Sequence, residues 1–157
     1  MSGFMFGGSA LTLDIGVRNQ TGATVQLGDI LQLDLTAATE DGFDAVPPES
    51  GDTDVGNYSI TGAVVAPSGL TIGNGDNCII RVIGKAKAAA TTGSVYAVGE
   101  ICIPTDGALT LAASAAPSLG TVTSADLKAK AVCLEAVGGG GATAGQLIDV
   151  WMKGFPL

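Results

Sequence analysis

Short stretches of this chain alternate apolar and polar residues with a period of two. Ala10-Leu11-Thr12-Leu13-Asp14-Ile15 does so, and Leu27 to Leu35 repeats the pattern over a longer span. Ile79-Ile80-Arg81-Val82-Ile83 and Val95 to Ile103 are β-branched runs, and Leu147 to Met152 closes the set. This period places alternate side chains on opposite faces of a strand. Gly, Pro, Asn, Asp and Ser clusters separate the runs, which is the punctuation of an all-β protein. The spacing predicts a sandwich or a compact barrel of short antiparallel strands and hairpins.

Helical signals are scarce. Ser124 could cap a turn over Ala125-Asp126-Leu127-Lys128. Residues 131–136 read as a strand, because they open the second copy of an internal repeat. In the first copy, Gly62-Ala63-Val64-Val65-Ala66 precedes a soft loop, a Gly75-Asp76 turn and the strand from Cys78. In the second, Lys130-Ala131-Val132-Cys133-Leu134-Glu135 precedes a glycine loop, Gly145-Gln146 and the strand from Leu147. Gly28-Asp29 and Gly99-Glu100 are two further turns of the same kind, each leading into a strand. Repeated hairpins of this type fit a meander that closes on itself.

Residues 1–9 read as an N-terminal arm and residues 10–157 as a single β domain. Within it, 36–57 carries Glu40, Asp41, Asp44, Glu49, Asp52 and Asp54 around Pro47-Pro48, without Lys or Arg. Like-charge repulsion and the prolines predict an exposed acidic loop. Gly138 to Gly141 predicts a flexible hairpin tip.

Composition narrows the function. The chain has 157 residues, 24 Gly, 4% aromatics and a net charge of −8. So acidic a surface argues against binding nucleic acid through its phosphates. There is no His, which removes the commonest general base and the commonest zinc ligand. Cys78, Cys102 and Cys133 sit among apolar neighbours at wide spacing and read as small buried hydrophobes in a reduced compartment. The segment Met1 to Gly8 lacks Lys and Arg and does not read as a signal peptide. No run approaches the ~20 apolar residues of a membrane helix.

Catalytic motifs are missing too. No Gly-x-Ser-x-Gly elbow is present, and no Gly-Lys-Ser/Thr follows the glycine-rich stretch. Asp52-Thr53-Asp54 lacks the later ligands of a calcium loop. The expectation is a protein with no enzymatic activity, cofactor or metal. Arg81, Lys85 and Lys87 form the one basic cluster, on one face of a strand. They read either as a solvated face or as a patch for an acidic surface. Trp151 is a candidate core plug or subunit-interface residue. Phe4, Met5 and Phe6, flanked by glycines, read as an apolar latch for a partner.

Ala129 to Ala136, the Gly/Ala loop and Gly145-Gln146-Leu147-Ile148-Asp149-Val150 together resemble the capsid cement (head decoration) proteins of tailed bacteriophages. Gly75-Asp76 and Val98-Gly99-Glu100-Ile101, each opening a strand, match as well, so the similarity spans roughly residues 60 to 154. The acidic loop and the Phe-Met-Phe arm have no counterpart in that family. The resemblance implies a barrel-like or tulip-like body and a homotrimer on the capsid exterior. Its partner would be the major capsid protein, with neighbouring coat subunits clamped together. It implies no reaction, no nucleic-acid partner and no membrane. Phe4, Met5, Phe6, Arg81, Lys85 and Lys87 are then the capsid-contact candidates and Trp151 the subunit-interface candidate. Two other classes remain open: a receptor- or glycan-binding β module, and a trimeric β enzyme such as a nucleotide hydrolase.

Overall fold

Wherever Val, Ile and Leu alternate with small or polar residues, the chain forms strands, and turns with glycine at positive φ separate them. The computed structural model describes residues 11–39, 42–49, 60–114 and 129–154. They form nine strands and, among these residues, no helix. The strands are β1 (Leu13–Asn19), β2 (Ile30–Thr39), β3 (Gly42–Val46), β4 (Thr61–Ala66), β5 (Asn77–Ala89), β6 (Ile101–Pro104), β7 (Leu111–Ser114), β8 (Ala131–Cys133) and β9 (Leu147–Lys153). Their order is β1-β3-β2-β4-β5-β9-β8-β6-β7, and β1 also pairs with β5. That pairing closes a five-stranded barrel. The expected N-terminal arm and the turn after Ser124 lie outside the described residues.

The internal repeat is larger than the hairpins that betrayed it. In the first barrel, β3 pairs with β2, β2 with β4 and β4 with β5. In the second half, β7 pairs with β6, β6 with β8 and β8 with β9. Registers match residue for residue: Ala63↔Arg81 and Val64↔Ile80 correspond to Val132↔Trp151 and Cys133↔Val150. The first barrel closes through β1, antiparallel to β5 and parallel to β3. The last part of β5 takes the role of β1 in the second half. It pairs antiparallel with β9 and meets β7 at the parallel bridge Ala90↔Leu111. The described strands thus repeat one arrangement over 13–83 and 84–154. Strand β5 is the last strand of one barrel and the first of the next.

Each barrel has its own core at corresponding positions. Val17, Val25, Leu31, Ala45, Val64, Cys78, Ile80 and Val82 fill the first. Ala88, Tyr96, Cys102, Leu111, Cys133, Ile148, Val150 and Met152 fill the second. The larger Tyr96 and Leu111 stand where the first barrel has Val25 and Ala45, and the smaller Ala88 and Cys102 where it has Val17 and Leu31. Volume is redistributed within a fixed frame, as close packing requires. The three cysteines are free and buried, two of them in the places of Leu31 and Val64. Each barrel also holds a buried, hydrogen-bonded polar side chain in a corresponding region. The Asn19 side-chain amide donates to the carbonyls of Ala23, Ile72 and Gly73 at 2.8–3.1 Å. The Tyr96 hydroxyl accepts from the Thr91 N–H and donates to the Leu111 carbonyl.

Four turns of one design enter four strands. They are Gln26–Asp29, Gly73–Asp76, Ala97–Glu100 and Thr143–Gln146, leading into β2, β5, β6 and β9. In each, the N–H of the fourth residue donates to the carbonyl of the first at 3.1 Å. The fourth side chain, carboxylate or amide, accepts from the N–H of the first at 2.8–3.1 Å. The third residue is Gly28, Gly75, Gly99 or Gly145, with φ of 90°, 89°, 84° and 74°. Positive φ at the third place is the type II requirement, and glycine meets it without strain. These turns shorten two expected strands. The runs from Leu27 and from Val95 become strands only at Ile30 and Ile101, because the turn occupies their first residues.

The expected acidic loop over 36–57 needs correction. Thr36–Thr39 continues β2, and Gly42–Val46 is β3, paired on both sides. The repulsion argument counted only charges inside the segment. Asp44 takes its cation from β1, where the Arg18 guanidinium donates to it at 2.8 and 3.1 Å. Ala45 is fully buried, so Phe43-Asp44-Ala45-Val46 is an ordinary alternating strand. Residues 40, 41 and 50–59 lie outside the described set. The expected glycine tip is also partly structural. A Cβ on Gly141 would collide with the backbone of Gly93, and the neighbouring Ala142 is buried.

Glycine replacements separate turn strain from packing. Gly99→Ala, with open space at its Cβ, should cost about 1–2 kcal/mol for the left-handed backbone alone. Gly141→Ala, also at positive φ, should cost clearly more, because its Cβ would collide with the backbone of Gly93. Urea unfolding of the two variants gives the comparison. Lys130, 1% exposed, provides a pH test. Burial, and to a lesser extent Lys153, push its ammonium down to about 8. Between about 8 and its ordinary value of 10.5 the unfolded chain binds the extra proton, so this group adds stability as pH rises. Relative to Lys130→Met, the parent should gain stability from pH ~8 to ~10.5, which denaturant midpoints across that range would show.

Candidate docking surface

Strand β5 alternates buried and outward positions along its whole length. Arg81, Lys85 and Lys87 all project outward, opposite the buried Val82, Ala86 and Ala88. The structure pairs each with a carboxylate of its own molecule. Arg81 donates through two nitrogens to Asp14 of β1 at 2.8 Å each, and through a third to the Lys85 carbonyl. Lys87 lies 2.9 Å from Asp149 of β9 and 3.9 Å from Glu135, and Lys85 lies 3.6 Å from Asp149. The hydrogen bond to Arg81 holds the Asp14 carboxyl below its usual range, and that to Lys87 does the same for Asp149. The basic cluster is therefore neutralised in place and would steer an acidic partner less than a bare stripe would.

Trp151 faces outward on β9, half-buried between Lys85 and Val132 in register. The core places beside it belong to Val150 and Met152, so it plugs no core. It occupies the position of Arg81 in the first barrel. Phe4, Met5 and Phe6 lie outside the described residues. Asp14, Asp149 and Glu135 were missed as partners of the cations, since only the register places them alongside.

The same outer face differs between the barrels at one place. In the second, Lys87, Asp149 and Glu135 lie side by side as an ion-paired cluster. The corresponding residues of the first are Gly16, Ile79 and Ala66, again neighbours in register. In place of that cluster there is an open groove of about 780 Å³. Its lining includes Gly16, Arg18, Phe43, Pro67, Asn77 and Ile79. Ile79 and Phe43 remain 41% and 39% exposed. The Arg18–Asp44 pair forms one wall. The volume lies within the ~300–1,000 Å³ typical of ligand sites. In the sequence the groove left one trace. Cys78-Ile79-Ile80 is apolar at three consecutive places, and in a strand one of the three must face out.

Among the described residues, no group of three or more Cys, Asp or Glu side chains could hold a metal ion. No helix among them is long and apolar enough to cross a membrane. No family model matches this sequence, and no curated protein matches it. Among solved structures, the chain is similar to the N base of the head fiber gp8.5 of bacteriophage phi29. The likeness has a TM-score of 0.49 and 15% sequence identity, and covers 94% of this chain and 98% of that one.

The ion pairs set an acid-side pH dependence. Carboxyls held below their unfolded values stabilise the fold above about pH 4 and lose that contribution as pH falls through the lowered folded values. The parent should lose stability on acidification, and Asp14→Asn with Asp149→Asn should lose less over the same range. At neutral pH the double variant should differ little, since exposed pairs are worth ~0–1 kcal/mol. Denaturant midpoints from pH 7 to 2 test this.

Proposed function

We propose that this protein is a non-catalytic structural component of a tailed-phage virion. It binds the outer surface of the capsid and braces neighbouring coat subunits. The observation that carries a docking role is how the described residues use their charges. Asp29, Asp76 and Glu100 close turns, and Asp14, Asp44 and Asp149 neutralise the cations of the outer face. This chemistry stiffens a scaffold and leaves the groove, with Ile79 and Phe43 exposed in it, as its most distinctive surface.

The virion assignment is supported by the resemblance of residues 60–154 to cement proteins. The motifs that carry it are the turns entering β5, β6 and β9. In this reading the coat protein is the partner and the homotrimer the working unit. Stabilisation comes from interface area repeated over many sites. A specific interface of standard size buries ~1,600 Å². Repetition turns modest contacts into a firm shell.

Purified protein mixed with expanded, undecorated capsids should bind to a fixed stoichiometry and raise the temperature at which the shells rupture. The same protein should leave nucleotide, ester, glycoside and peptide substrates unchanged. Binding to glycans with none to capsids would move the assignment to a receptor-binding module. Turnover abolished by changing one Asp would make the protein an enzyme.

A further inference from the structure

We propose that the groove on the first barrel is the seat for the Phe4-Met5-Phe6 segment of a second copy of this chain. The first support is the repeated arrangement. At the same register positions the second barrel carries a water-compatible ion cluster, whereas the first carries Gly16, Ile79 and Ala66 beside Phe43 and Pro67. One backbone arrangement thus carries a solvated ion cluster at this face in one barrel and exposed apolar side chains in the other.

The second support is chemical fit. Residues 1–10 contain no charged side chain, and their apolar cluster is flanked by glycines. Each chain carries a net charge of −8, so contact between copies is favoured where both sides are uncharged. Ile79 and Phe43 offer apolar surface there, beside Arg18 and Asp44, whose charges neutralise one another.

The third support is direction. Strand β1 runs antiparallel to β5 from Leu13↔Ile83 to Arg18↔Asn77, and the groove lies toward the Arg18 end. Before Leu13 the chain passes over Gly84, whose added Cβ would meet Thr12 Cγ2 at 2.8 Å and the Leu11 carbonyl oxygen at 2.9 Å. At Leu11 the described chain has therefore led away from its own groove. From Leu11 to Phe4 an extended chain reaches roughly 23–25 Å, enough to enter a neighbouring molecule. The inference does not depend on capsid binding. It assigns the aromatic segment to a second copy, where the sequence alone pointed to the coat protein.

The test compares the full chain with two variants by sedimentation equilibrium. One lacks residues 2–8. The other, Gly16→Lys with Ile79→Asp, copies into the groove the Lys87–Asp149 pair that the second barrel already holds at that register. Gly16 has open space at its Cβ, so the lysine can be accommodated. The full chain should self-associate, and each variant should do so at least tenfold more weakly with an unchanged thermal transition. A labelled peptide of residues 1–10 should bind the truncated protein. It should bind at least tenfold more weakly when the truncated protein also carries Gly16→Lys and Ile79→Asp. Should that pair prevent folding, Phe43→Ala in the truncated background gives the same reading. A monomeric full chain, or association unaffected by the truncation, would overturn the proposal. So would a truncation that weakened only capsid binding.

Discussion

One unbroken strand carries the architecture. The first part of β5 closes the first barrel against β1 and β4, and the last part opens the second against β9. A unit as small as either half buries only about 60% of its chain surface and is marginal alone. Sharing β5 removes two strand ends and joins the cores. Ile30 of the first half packs in the second core, and Leu109 of the second half packs against the first. The Ile30 N–H donates to the Leu109 carbonyl at 2.9 Å, and the Ala89 N–H to the Gly28 carbonyl at 2.8 Å. The halves are stitched by backbone as well as by side chains. This explains how a chain with 4% aromatics holds a defined fold.

The turns do the remaining work of definition. A Gly-rich, Ala-rich chain has much conformational entropy to lose on ordering. Each of the four locked turns fixes its entry with one backbone bond and one side-chain bond. Strand register follows from where the turn ends, and a slip of one residue would move a core face into water. Asp, Glu and Gln all serve at the fourth place, because an oxygen acceptor is what the geometry needs.

Much of this was legible in the sequence, and the failures are instructive. The runs 147–152 and 79–83 marked strands that the structure contains, but the second is only the middle of β5, which continues to Ala89. The Gly-acid pairs at 28, 75 and 99 and the Gly-Gln pair at 145 marked the turns. The hairpin repeat was visible from Gly62 and Lys130, but its full extent was not. The strand corresponding to β1 lies inside β5, and no sequence pattern announces that a single strand serves twice. Asp44 was misread as a loop charge because Arg18, which neutralises it, is distant in sequence. The groove was hidden for a similar reason. It arises from Gly16, Ile79 and Phe43 on three strands, and its meaning emerges only beside the charged cluster of the other barrel.

The shared strand should make the two barrels one cooperative body. Native-state hydrogen exchange along β5 tests this most directly. Amides of 77–83 and 84–89 should open only in the global unfolding event, with equal free energies and equal denaturant dependence. Two classes of protection, with 84–89 opening while 77–83 stays closed or the reverse, would show two independent barrels on a common strand.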